Sequence, residues 1–236
     1  MLIPGPKFNP RRLLKKEMLW LWTHHCKAHG HTYASHPNCY FKERPWESDA
    51  GAPGVERVGF CDIETSNLAA TFGYIFSYCI KELDGKILEY VIKPSDIKKG
   101  EFDKNLMKQF CEDIRNFDRI VVYWGKDWRF DIPYLRTRAV YHGIDFPKYK
   151  ALVVNDLFDI VKKKLKLHRN RLETACEFFS IPCKGHRLDP NVWQRAMAGD
   201  KKSLLWILEH NREDVISTEI LWKKLREFSN SPNTSI

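Results

Sequence analysis

From Val58 onward, short apolar runs alternate with segments whose apolar residues recur at helical spacing, and two of those runs meet at an Asp-Gly turn. Few architectures accommodate that order. "VGFCDIE" is apolar until its last residues and reads as a buried strand. "GYIFSYCIKELDGKILEYVIK" reads as two strands joined at "LDGK", because Asp-Gly supplies the backbone freedom that a tight hairpin needs. "DKNLMKQFCEDIRNF" carries Leu106, Phe110 and Ile114 on one helical stripe, and "DRIVVYWG" is a further strand. "FDIPYLRTRAVYHG" suits a helix that stops at Gly143. A strand at "ALVVND", helices at "LFDIVKKKL" and "NRLETACEFFS", and a long final helix from about Lys201 to Phe228 complete the order. The expected fold class is α/β, a mixed sheet with helices on its faces.

The chain before Val58 has a different composition. Residues 1–21 are basic, with "RRLLKKEMLWLW" readable as a short helix; residues 22–41 concentrate Cys and His. Residues 42–57, rich in Pro, Gly and charge, read as a linker, and residues 229–236 as a disordered tail. The start lacks the long apolar stretch and small-residue cleavage site of a secretory signal, so a cytoplasmic, intracellular location without a membrane partner is expected. Seven cysteines agree with a reducing compartment: the number is odd, and Cys61, Cys79, Cys111, Cys176 and Cys183 stand singly in apolar surroundings. A formal net charge of +9 favours a polyanionic partner.

Acidic residues recur where those elements end. "CDIET" places Asp62 and Glu64 two apart, on one side of a strand that is otherwise apolar. Asp131 opens a helix directly after another apolar strand, where its simplest role is a cap. His210 and Asp214, four apart, share a face of the final helix with Ile207 and Leu221, so they are either a salt-bridged pair at the rim of the core or members of a site. Four converging carboxylates repel one another unless cations neutralise them, and hard divalent ions with oxygen ligands do so.

"DIET", "FDIPYL" and "HNREDV", in that order, resemble the three motifs of the DEDD 3′–5′ exonuclease superfamily, whose fold is ribonuclease H-like. The resemblance spans roughly Val58 to Phe228 and is closest to the predicted ribonuclease-H-like exonuclease branch and the proofreading domains of family B polymerases. It implies a ribonuclease H-like domain over 58–228 in which Asp62, Glu64, Asp131 and Asp214 bind two Mg²⁺ or Mn²⁺ ions. It also implies a partner nucleic acid, DNA ahead of RNA, shortened from its 3′ end with release of nucleoside monophosphates. The alternatives are a structure-selective endonuclease using the same site, and a nucleic-acid-binding or scaffold subunit.

Two departures stand out. His210 occupies the register, four residues before the last Asp, that tyrosine holds in one branch; the other branch has histidine five residues before it. Imidazole is the better general base near neutral pH, so His210 is an expected catalytic residue. "YWGKDWR" replaces the usual Asn-Gly turn before the second motif, with Trp124 where Asn is common. Thr65, Lys126, Trp128 and Arg129 are expected to meet the substrate, although Trp128 equally suits packing against the core. Arg169 and Arg171 belong to the densest basic stretch, "KKKLKLHRNR", which reads either as strand guidance or as a solvated face.

"CKAHGHTYASHPNC" is independent of those motifs. Cys26-x2-His29 and His36-x2-Cys39 have the spacing of a tetrahedral Zn²⁺ site, with His31 able to replace His29. The other reading is a His-rich loop packing on the neighbouring domain.

Overall fold

The computed structural model describes residues 15–45, 49, 52, 56–148, 151–183 and 189–228. Most of the basic segment 1–21, much of the expected linker 42–57 and the tail 229–236 lie outside the described residues. The chain divides into two compact units, Met1–Glu56 and Arg57–Ile236. Among the described residues, no helix is long and apolar enough to cross a membrane.

The N-terminal unit contains helix α1 (Lys15–Thr23), an antiparallel bridge between His25 and Thr32, and helix α2 (Pro37–Glu43). It is wider than residues 22–41, because Trp20 and Leu21 pack with Cys26, Tyr33, Cys39 and Tyr40, and Lys42 and Glu43 close α2 rather than opening a linker.

The larger unit is built on a five-stranded sheet in the order β3-β2-β1-β4-β5. Its strands are β1 (Val58–Thr65), β2 (Ile75–Glu82), β3 (Ile87–Val91), β4 (Arg119–Val122) and β5 (Val153–Asp156). β2 pairs antiparallel with β1 and with β3 across the Asp84-Gly85 turn, where Asp84 takes φ +53°; β4 and β5 run parallel to β1. The mixed sheet and its strand positions follow the apolar runs of the sequence.

Alternation along β1 sends its side chains to two cores. Cys61 and Ile63 pack with α4 (Lys104–Asp113) and α5 (Asp131–Tyr141). Val58 and Phe60 pack with α6 (Leu157–Lys164), α7 (Leu172–Phe178) and the last helix, α9 (Lys201–Leu225). Asp62 and Glu64 therefore lie on the side of the sheet that α9 covers. Two shorter helices, α3 (Pro94–Lys98) and α8 (Pro190–Met197), lie outside the sequence-based reading.

Polar anchors fix the helices that bear the motifs. Asp103, whose side chain is fully buried, accepts from the Ile75 N–H at 3.0 Å and from Arg138 at 2.7 and 2.8 Å, and lies 2.7 Å from His142 Nε2. This ties α5 to the start of β2. Arg212 of α9 pairs with Glu89 of β3 at 2.5 Å, and Glu219 accepts from the Asp84 N–H at 2.8 Å and pairs with Lys81 at 3.0 Å. As expected, α5 ends before Gly143, which takes φ +65°, a conformation that costs a side-chain-bearing residue about 1 kcal/mol or more.

Candidate active site

β1 outruns its parallel neighbour. Its pairing with β4 ends at Phe60, so the carboxyl half of β1 projects past the end of β4. Ligands of α/β sheets bind at such a crevice, where neighbouring connections diverge. The Ile63 N–H, beyond that pairing, donates to Asp131 Oδ1 at 3.2 Å. Asp131 is thus no helix cap: it is the first residue of α5, the cap position belongs to Phe130, and its carboxylate reaches across to β1.

The loop between β4 and α5 delivers Asp131 to that position. Asp156, at the end of β5 and buried, accepts from the backbone N–H of Trp124 at 2.8 Å, of Lys126 at 3.1 Å and of Phe158 at 3.0 Å. Arg129 bridges Asp156 at 2.5 Å and Asp159 at 2.6 Å, and its guanidinium lies over the Phe158 ring. Trp124 and Asp127 take φ +62° and +59°. The left-handed turn at Trp124 is one that Asn adopts readily and Trp does not, so the clamp by Asp156 offsets strain of roughly 1–2 kcal/mol. Gly125 packs directly beneath Asp131: a Cβ there would overlap its Oδ2.

α9 closes the other side. His210, Asn211 and Asp214 are all buried, and donor atoms of Glu64, His210 and Asp214 lie within 4.8 Å of one another. His210 Nε2 is 3.7 Å from Glu64 Oε1, and its ring stacks on Trp206 one turn earlier, with centroids 5.8 Å apart. Asn211 Nδ2 donates to Asp62 Oδ2 at 2.5 Å, which orients the carboxylate from the helix side. Burial, together with the Asp156 and Asp214 carboxylates, pushes the Asp131 carboxyl up to about 7, against the opposing donation from the Ile63 N–H. The Glu64 and Asp214 oxygens, with Asp131 near enough to feel the Asp214 charge, are of the donor type that suits hard divalent cations.

The expected substrate residues separate. Trp128 is 81% exposed, which excludes packing against the core. Lys126 is largely buried, with Nζ 3.7 Å from Asp127. Arg129 is engaged by the two aspartates just described. Thr65 donates to the Asn67 carbonyl at 3.0 Å, while its own carbonyl accepts from the Trp193 indole of α8 at 2.8 Å. The exposed side chains of Arg169 and Arg171 make no hydrogen bond or ion pair among the described residues. Asn211, Asp156 and Gly125 escape the sequence-based reading. Only Asn211 carries a signal there, three residues before Asp214 on the same helical face.

Among solved structures, the family B DNA polymerase of the hyperthermophilic archaeon Pyrobaculum calidifontis is similar, with TM-score 0.59 and 22% identity over 75% of this chain and 25% of the polymerase. E. coli exonuclease I, in complex with a dT13 oligonucleotide, gives TM-score 0.48 and 14% identity over 73% of this chain and 42% of that protein. The chain thus spans well under two thirds of either protein. No curated protein matches the sequence. The polymerase likeness shows a common fold, the mixed sheet flanked by helices. The family model of the RNase_H superfamily matches residues 59–226, nearly the whole of the larger unit and with it every strand and helix of the site: the chain belongs to the RNase_H superfamily.

Proposed function

We propose that residues 58–228 form a metal-dependent 3′–5′ exonuclease that hydrolyses phosphodiester bonds at nucleic-acid 3′ ends, DNA ahead of RNA, and releases nucleoside monophosphates. One observation carries this reading. Glu64, His210 and Asp214 present donor atoms within 4.8 Å of one another where β1 projects past β4, and the Ile63 N–H of the same strand holds the Asp131 carboxylate. Asp62, Glu64, Asp131 and Asp214 would hold two Mg²⁺ or Mn²⁺ ions, whose chemistry when bound is to acidify water and neutralise charge on the phosphate. His210, stacked on Trp206 and facing Glu64, takes the proton of the attacking water. Asn211 holds Asp62 in orientation. The exposed Trp128 offers a face on which a base can stack.

The test uses 5′-labelled single- and double-stranded DNA and RNA with Mg²⁺ or Mn²⁺. The expected result is a ladder shortening from the 3′ end and stopped by EDTA. Internal cuts would replace the reading with an endonuclease, and binding without cleavage with a scaffold.

Gly125→Ala tests the loop beneath the site. The added methyl meets Asp131 Oδ2, which the Ile63 N–H holds from the other side, so the carboxylate must move. A displacement of this kind is expected to lower single-turnover cleavage about 10²-fold, with the overall circular dichroism spectrum retained. Parental activity in the variant would mean that the Asp131 position is not critical.

A further inference from the structure

Among the described residues, the N-terminal unit buries little apolar material. The buried apolar cluster of the described residues consists of Leu21, Cys26, Tyr33, Cys39 and Tyr40, and two of those five are cysteines. Small units with small cores commonly add a disulfide, a metal or a partner for stability. Cys26 and Cys39 are both free thiols and both 3% exposed. Three imidazoles gather beside them: the rings of His29, His31 and His36 lie 5.4–6.0 Å apart by centroid. A disulfide between the cysteines would leave that gathering of histidines without a purpose.

The sulfur and nitrogen positions identify the better staple. His29 Nδ1 lies 3.8 Å from Cys26 Sγ and 3.3 Å from Cys39 Sγ, and His36 Nδ1 lies 2.9 Å from Cys39 Sγ. At the tetrahedral angle, the usual Zn–S and Zn–N lengths place a sulfur and a nitrogen roughly 3.5 Å apart, inside the range of these three distances. Cys26, His29 and Cys39 present donor atoms within 4.8 Å of one another. His36 is the histidine that supplies a further nitrogen against a sulfur, whereas His31 stacks on His29. The surrounding backbone is already fixed: Glu43 of α2 accepts from the N–H groups of Lys27 and Ala28 at 2.9 and 3.2 Å and from the Tyr33 hydroxyl at 2.9 Å. That clamp holds the turn bearing Cys26 and His29 against the helix bearing Cys39.

We propose that Cys26, His29, His36 and Cys39 form a closed, structural zinc site that folds the N-terminal unit. Four protein ligands leave no open position, so the site has no catalytic role of its own. It is independent of the nuclease reading, and its test does not use cleavage.

Metal analysis of the desalted full chain is expected to give about one zinc per molecule, and none in the Cys26→Ser, Cys39→Ser double variant. Replacement by Co²⁺ in the unmutated protein should give the visible bands of tetrahedral cobalt and a sulfur-to-metal charge-transfer band, a readout that survives if the variant fails to fold. His36→Ala should weaken zinc binding by at least about tenfold, a loss that even an outer-shell partner can bring, while His31→Ala leaves it unchanged. Absence of zinc from the parent, or zinc retained by the double variant, overturns the site. So does a six-coordinate cobalt spectrum, or a Cys26–Cys39 disulfide seen by mass spectrometry without reductant. Sensitivity to His31→Ala in place of His36→Ala overturns the fourth ligand.

Discussion

Asp131→Asn is expected to abolish cleavage and, in the metal-free protein above pH 7, to raise the melting temperature. Both effects have one origin. The folded carboxyl titrates at about 7, pushed up by burial and by Asp156 and Asp214, whereas in the unfolded chain it ionises near its ordinary value of 3.8. A group whose folded value is raised contributes stability that is complete below the unfolded value and is lost as pH rises through the folded one. Asp131 therefore favours the folded state below about pH 4 and ceases to do so above about pH 7.

At pH 8 the metal-free protein holds a buried anion beside two others, a burden on the order of a few kcal/mol, shared among the coupled carboxylates. Asparagine keeps the acceptor for the Ile63 N–H and removes the charge. A melting temperature several degrees higher at pH 8, and little changed at pH 4, is the expected signature. The same charge is what a divalent ion needs, so cation affinity in the parent should rise with pH through 7 as the proton is displaced. A variant that cleaves normally would remove Asp131 from the site, and one that melts lower at pH 8 would refute the strained-anion account.

Legibility of the fold depended on how local each signal was. The hairpin at Asp84-Gly85, the stop at Gly143 and the apolar run of β1 are all written in consecutive residues, and the structure places each where the pattern implies. α8 begins at an Asp189-Pro190 start signal, with Asp189 accepting from the Asn191 N–H at 2.9 Å. Its eight residues bury only Val192 and Ala196, too few for periodicity to stand out. The motifs, in order, single out the acids and His210 as candidates. Asn211 and Asp156 act through contacts with Asp62 and with the Trp124–Arg129 loop, far away in sequence, and no local pattern announces such pairings. The exposure of Trp128 was equally undetermined, since an aromatic in a loop suits either packing or stacking until the loop's path is known.

His210 can serve either as a base or as a ligand, and the two roles predict different losses. Its donor atom lies within 4.8 Å of those of Glu64 and Asp214, close enough to join them around a cation. A ligand's removal weakens Mn²⁺ binding, and added metal then restores the rate. A general base's removal lowers the rate by about 10²–10⁴-fold at saturating metal, with metal affinity nearly unchanged. The second outcome is expected for His210→Ala, because four carboxylates already supply hard oxygen donors and such ions take nitrogen less readily. Truncation beneath Trp206 also removes buried packing, so the melting temperature should fall, and single-turnover rates must be compared per folded molecule. His210→Tyr separates packing from chemistry: it keeps an aromatic ring at the same helical register and offers a phenol, the group found there in the related branch. Measurable activity with a changed pH profile is expected of it. A parental rate in His210→Ala would leave the buried histidine a packing partner of Trp206 and Glu64, and the base would have to be sought elsewhere.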